Sequence, residues 1–281
     1  MKTLPMFLNG AWVEASEGRT REILNPANNE LLAVVTDGDE RDAETAIAHA
    51  RRAFDTGPWP KMRAQERATY LFKLADLIDG MADCLATLET RNNGKPLREA
   101  KFDVADAAAC FRYYAGLITK PLGQTYEVSD PAIQAMVVRE PIGVCGQIIP
   151  WNYPLLMAAW KLAPGLAAGN CCILKPAETT PLTAIELFKL IEEAGFPPGS
   201  AQLLLGPGPT AGHTLAAHDH VDKIAFTGGT VTGRTIMAAA TGNIKKVTAR
   251  AGRQIAGHRL CRCGFRRGPR IRHVRDLRRA G

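Results

Sequence analysis

The rhythm of hydrophobic positions changes near Pro141 and divides the chain into two styles of structure. Up to about Asp37, short apolar runs such as Ala11-Trp12-Val13 and Leu31-Leu32-Ala33-Val34-Val35 are broken by turn residues and read as short strands. Helical patterns follow. Asp39 is placed to cap a helix running to Phe54, and a second helix starts near Arg63, after the breaker Gly57-Pro58-Trp59-Pro60. In that helix Leu71, Leu74, Ala75 and Ile78 recur at i, i+3, i+4 and i+7, the spacing of one buried face. A third helix is predicted over Glu99 to Leu117. The stretch Gln124 to Val138 reads as extended, with a turn at Ser129-Asp130-Pro131, and predicts a hairpin.

Beyond Pro141 the pattern becomes strand, turn, helix, repeated. Strands are predicted at Ile142–Ile149, Cys171–Lys175, Ala201–Leu205 and Lys223–Phe226, with a last one starting near Ile244. Helices are predicted at Leu155–Ala168 and Pro181–Ala194, from near Pro209, and after Gly233. This alternation implies an α/β fold of βαβ units around a parallel sheet, in which ligands bind beyond the carboxyl ends of the strands.

Composition leaves that picture intact: 46% hydrophobic and 22% charged residues exclude a disordered, collagen-like or disulfide-built chain. No apolar run reaches the roughly 18 residues of a membrane helix, and the start is too weakly apolar for a secretory signal. Seven scattered cysteines fit a reducing compartment, so a cytoplasmic protein without a membrane partner is expected. Charge does change the picture. The net +7 looks like a nucleic-acid binder, but residues 249–281 hold eleven Arg, no Lys and one acid, a net of +10 that leaves −3 for residues 1–248. The basic character belongs to a separate tail. Residues 1–248 are therefore expected to form the folded domain, and 249–281 an aberrant, disordered Arg-rich extension.

Candidate chemistry sits at the strand ends. Asn152, in Pro150-Trp151-Asn152-Tyr153-Pro154, is placed either to donate its amide to a substrate oxygen that becomes negative or simply to cap the next helix. Lys175 and Glu178, after the second strand, can grip ribose hydroxyls or form a surface ion pair. Gly208 lies in a glycine-rich run, Gly206–Gly212, that is not the G-x-G-x-x-G fingerprint. Gly228, Gly229, Thr230 and Gly233 surround a strand-to-helix turn suited to a phosphate. Three strand ends suited to parts of one dinucleotide are stronger than any one of them.

Taken together, Pro150-Trp151-Asn152-Tyr153-Pro154, Ala159-Trp160-Lys161, Leu174-Lys175-Pro176-Ala177-Glu178, Gly195-Phe196-Pro197-Pro198-Gly199 and Phe226-Thr227-Gly228-Gly229 resemble the NAD(P)-dependent aldehyde dehydrogenase superfamily. The resemblance spans about Met6 to Thr248 and is nearest to betaine-aldehyde-type and related broad-substrate members. It implies a Rossmann-like cofactor domain, and an arm at 124–138 that pairs subunits into a homo-oligomer in the full-length protein. It implies oxidation of an aldehyde to an acid with a nicotinamide cofactor; because a carboxylate at Glu178 repels a 2′-phosphate, NAD is expected as the preferred cofactor and NADP as a weaker one. Asn152 then resembles the oxyanion-holding side chain, and Lys161 a lysine assigned to proton relay in some members. Pro150 with Trp151 resembles the nicotinamide-side wall, Lys175 and Glu178 the adenosine-ribose contacts, and the glycine turn the pyrophosphate site. No metal is implied: His258, Cys261, Cys263 and His273 fall in the tail.

One departure is sharp. The family's water-activating Glu belongs in a Leu-Glu-Leu-Gly-Gly-Lys run directly after Val247-Thr248, where this chain reads Ala249-Arg250-Ala251-Gly252-Arg253-Gln254. The nucleophilic Cys is expected beyond Gly281, together with the substrate domain. Back-translating Ala249 onward and reading one nucleotide later yields Leu-Glu-Leu-Gly-Gly-Lys-Ser-Pro-Ala-Ile-Val-Phe, the family continuation. A frameshift after Thr248 is the expectation, with the 281-residue chain inactive. The alternative function is a non-catalytic dinucleotide-binding or subunit-pairing module; a nucleic-acid arm is the weakest reading.

Overall fold

The structure, a computed structural model, describes residues 2–120 and 123–252. Its centre is a seven-stranded sheet built from β1 (Met6–Leu8), β2 (Ala11–Val13), β7 (Val144–Ile148), β8 (Cys171–Lys175), β9 (Ala201–Leu203), β10 (Lys223–Gly228) and β11 (Lys246–Ala251). The order across it is β11-β10-β7-β8-β9-β1-β2. The five strands from β11 to β9 are parallel, whereas β1 joins β9 antiparallel and hairpins to β2. The strand at Met6–Leu8 escapes the sequence pattern because three residues carry no period. Strands β3 (Thr20–Leu24) and β4 (Leu31–Thr36) form a separate antiparallel pair. Residues 124–138 fold as expected into a ribbon, β5 (Gln124–Tyr126) against β6 (Ala135–Val137).

Eight α-helices accompany these strands among the described residues: α1 (Glu40–Asp55), α2 (Ala64–Gly80), α3 (Ala82–Asn93), α4 (Leu97–Leu117), α5 (Pro154–Ala167), α6 (Leu182–Ala194), α7 (His213–Ala217) and α8 (Thr230–Ala239). Asp39 caps α1 as predicted, accepting hydrogen bonds from the Arg41 and Asp42 amides. Gly195, at φ +87°, ends α6 in the left-handed conformation that glycine adopts without strain. The sheet is clad on both faces. The neighbours Cys171 and Cys172 show this directly, the first lying near Arg51 of α1 and the second against Gly165 of α5. Helices α2, α3 and α4 pack outside α5 and α6. No helix among the described residues is long and apolar enough to cross a membrane.

Three expectations change. Helix α3 is a separate element between α2 and α4. Helix α8 starts at Thr230 rather than after Gly233, because Gly233 already donates its amide to the Gly229 carbonyl inside the first turn. Strand β11 runs past the boundary expected at Thr248, pairing Phe226 with Ala249, Thr227 with Arg250 and Gly228 with Ala251. Ladder bonds come from the backbone, and Ala-Arg-Ala keeps a small, polar, small alternation that a strand tolerates. The remainder of the expected disordered tail, and the tail's His and Cys residues, lie outside the described residues.

Candidate active site

Strands β7, β8 and β9 step outward across the sheet, and β10 then returns to the opposite flank of β7. Loops leaving the carboxyl ends of β7 and β10 therefore diverge, which opens a crevice at the switch in direction. Here it is a cleft of about 670 Å³ lined by Pro150 and Trp151 after β7, Lys175 and Glu178 after β8, Gly208 and His213 after β9, and Thr227, Gly228, Gly229 and Thr232 around the start of α8.

The geometry at the glycine turn fits an anion. Gly229 caps α8, and among the described residues no side chain caps the first-turn amides, which carry the positive end of the helix dipole. The two glycines differ in cause. A Cβ on Gly228 would lie 2.6 Å from the Phe226 ring, so packing demands that glycine. A Cβ on Gly229 would meet nothing within 4 Å among the described residues. Across the cleft, Glu178 accepts from the Gly208 amide through Oε2 at 3.1 Å, tying the loop after β8 to the loop after β9. Lys175 lines the cleft but is only 3% exposed, and its ammonium donates to the Pro176 carbonyl at 3.0 Å. A buried cation must find an acceptor. Burial lowers its pKa to about 8, against the opposing pull of Glu178 and Asp37.

A second cleft, of about 400 Å³, shares Thr227 and Gly228 with the first and is otherwise lined by Asn152, Tyr153, Leu156, Met157, Trp160, Arg250 and Gly252. Leu156, Met157 and Trp160 of α5, with Tyr153 just before it, recur at i, i+3, i+4 and i+7 and share one face, a spacing legible in the sequence that strand ends alone do not reveal. Asn152 does not cap α5. Tyr153 holds the cap position without a side-chain hydrogen bond. The Asn152 Oδ1 is buried and has no partner among the described residues. The unmet atom is a carbonyl oxygen, an acceptor, so it calls for a donor and is not itself the group that would hold an oxyanion; that role would fall to Nδ2 of the same amide.

Lys161 lines neither cleft. It stands behind Thr227, donating from Nζ to Thr227 Oγ1 at 3.0 Å, and burial with nearby Lys223 lowers its pKa to about 8. Thr227, which lines both clefts, was missed as a site residue because a lone threonine at a strand end carries no period or spacing. Thr230 and Gly233 also line neither cleft, Gly233 being buried in the first turn of α8. The register of β11 with β10 puts position 250 in the second cleft, so the place the resemblance gives to a carboxylate is held by a guanidinium. Arginine stays protonated and cannot accept a proton from water.

Comparison with known proteins agrees with this geometry. Residues 12–254 match the model of the aldehyde dehydrogenase family. The chain is 51% identical over 247 residues to betaine aldehyde dehydrogenase of Bacillus subtilis, covering 88% of this chain and 50% of that protein. It is 47% identical over 250 residues to the mitochondrial aldehyde dehydrogenase of Homo sapiens, covering 88% of this chain and 48% of that one. The crystal structure of betaine aldehyde dehydrogenase from Staphylococcus aureus in complex with NAD+ superimposes with a TM-score of 0.87 at 42% identity, covering 89% of this chain and 50% of that one. The chain thus spans about half the length of the relatives it matches. With that match over most of its length, and with a cleft at the switch point of the sheet, the chain belongs to the aldehyde dehydrogenase family.

Proposed function

We propose that this chain is the cofactor-binding portion of an NAD-dependent aldehyde dehydrogenase that oxidises a small aldehyde to its acid. The observation that carries the reading is the meeting of two clefts at Thr227 and Gly228, one with dinucleotide features and the other lined by Asn152. NAD suits the larger cleft: Glu178 would receive ribose hydroxyls, the first-turn amides of α8 would face the pyrophosphate, and Pro150 and Trp151 would wall the nicotinamide end. Bound there, it supplies a hydride acceptor. Asn152 would donate from its amide to the aldehyde oxygen as negative charge develops, a group already fixed in place before reaction. Lys161 would hold Thr227 at the junction of the clefts and, with a pKa near 8, can carry or release a proton at neutral to mildly basic pH.

Two further groups are needed, a thiolate to attack the carbonyl and a base to activate water. Cys84, Cys110, Cys145, Cys171 and Cys172 line neither cleft, and burial raises Cys110 to about 11 and Cys171 to about 12. Position 250 is an arginine. We therefore propose that the reading frame leaves the family pattern at Ala249 and that the 281 residues alone bind NAD without oxidising aldehyde. The ribbon at 124–138, whose Tyr126, Ile133, Met136 and Val138 are exposed, is proposed to pair subunits in the full-length protein.

Calorimetric titration with NAD, and NADH absorbance with an aldehyde present, test both parts. The expected result is saturable NAD binding with no NADH above a heat-killed control. NADH formation by this chain would refute its inactivity, and absence of NAD binding by folded protein would refute the function. Sequencing the DNA across codon 248 should show the shifted frame open and encoding a Cys beyond codon 281.

A further inference from the structure

The cleft is bordered by two loops, Pro150 to Pro154 after β7 and Pro176 to Pro181 after β8. Their backbone groups need partners. Several are met locally, but the Trp151 and Thr179 carbonyls find theirs on one distant element, the carboxyl end of α3. The Asn93 amide donates from Nδ2 to the Trp151 carbonyl. Asn92 donates from Nδ2 to the Thr179 carbonyl at 3.0 Å and accepts from the Leu182 amide through Oδ1 at 3.2 Å. One turn earlier, Glu89 accepts from the Leu155 amide at 3.5 Å and from the Thr183 hydroxyl at 2.6 Å, so it holds the first turns of both α5 and α6.

These side chains do not cap their own helix, because each reaches across 58 to 94 residues of sequence to another element. One cation also bridges the carboxylates of the cluster. Gly94, at φ +83°, ends α3 and turns the chain so that Lys95 Nζ returns to 3.3 Å from Glu89 and 2.5 Å from Asp103. Glu89, Asn92 and Asp103 are buried, and such a network fixes one arrangement where an apolar contact would allow several. The same ammonium lies 4.5 Å from the centre of the Tyr153 ring, which borders the second cleft.

We propose that Asn92 and Asn93 are positioning residues for the cofactor cleft: Asn93 sets Trp151 on the nicotinamide side, and Asn92 sets the loop that carries Glu178 on the adenosine side. The inference rests on NAD occupying this cleft as proposed above. It follows that the two asparagines act on different ends of one ligand. Loss of Asn93 reaches the nicotinamide end alone, whereas loss of Asn92 reaches the half that ADP-ribose shares with NAD.

The test is a titration of NAD and of ADP-ribose, which lacks nicotinamide, into wild type, Asn93→Ala, Asn93→Asp, Asn92→Ala and the neighbouring control Arg91→Ala. Arg91 pairs at the surface with Glu30 and should change nothing. Both Asn93 variants remove the donor and should weaken NAD about tenfold, the effect of one hydrogen bond to a fixed wall, with ADP-ribose unchanged within twofold. Asn92→Ala should weaken both ligands in parallel. Asn93→Asp keeps the side-chain shape at a half-buried position, so its folding does not depend on filling a cavity. An unchanged ratio of NAD to ADP-ribose affinity in a folded Asn93 variant overturns the proposal while the NAD reading stands. Failure of wild type to bind either ligand overturns both.

Discussion

Glu178 is the sharpest probe of cofactor choice. Its carboxylate borders the cleft, half-buried, with Oε2 held by the Gly208 amide at 3.1 Å. A carboxylate so placed accepts from ribose hydroxyls but faces a 2′-phosphate as a like charge. At a separation of about 5 Å and an effective dielectric of about 40, between those of water and a buried site, unit charges repel by about 1.7 kcal/mol. The nearby Lys175 ammonium offsets part of this, although it is turned toward Pro176 and is partly neutral above pH 8. The net expectation is a preference for NAD over NADP of about tenfold. Glu178→Gln removes the charge and keeps the shape. It should weaken NAD by a few-fold, since the amide is a poorer acceptor, and strengthen NADP by a similar factor, bringing the two together. The assay is isothermal titration of both cofactors at low and at 0.3 M salt, because screening should shrink the wild-type difference but not the variant's. Equal affinities in wild type, or a ratio untouched by Glu178→Gln, would refute the reasoning.

Two further perturbations address the fold. Lys175 and Lys161 both have pKa values near 8 in the folded chain against an ordinary 10.5, so the unfolded chain holds more protons between those values. Stability should therefore be lowest at and below pH 8 and rise toward pH 10.5, with each lysine contributing about 3 kcal/mol of relief at most. Lys175→Met should raise the urea midpoint at pH 7 and remove about half of that rise; parallel profiles for wild type and variant would show the burial cost to be misassigned. Gly143 stands at φ +131° with a would-be Cβ 1.8 Å from Asp222 Oδ2, the atom that also accepts from the Val144 amide at 2.7 Å and Arg51 Nη1 at 2.9 Å. Gly143→Ala should cost roughly 2–4 kcal/mol by displacing that carboxylate, read as a lower thermal midpoint. Adding Asp222→Ala should recover the steric part of the loss only.

The sequence by itself determined the elements with a period and the turns with a chemistry. Alternation of apolar runs with helical stripes beyond Pro141 marks the parallel core of the sheet, Asp39 marks the start of α1, and the glycines after Phe226 mark the turn into α8. These are local signals, each carried by residues a turn apart. Tertiary structure decided what such signals cannot hold. It turned Lys175 inward, because a buried ammonium takes the nearest carbonyl. It set Thr227 between Lys161 and both clefts, because the register of β10 against β7 brings together residues far apart in the chain. It extended β11 to Ala251, because the backbone of β10 offers ladder partners whatever the side chains are. It also bound Asn92 and Asn93 to backbone groups 58 to 90 residues away. A polar residue on a helix reads as solvated in sequence; only the approach of another element makes it a partner for a backbone group that water can no longer reach.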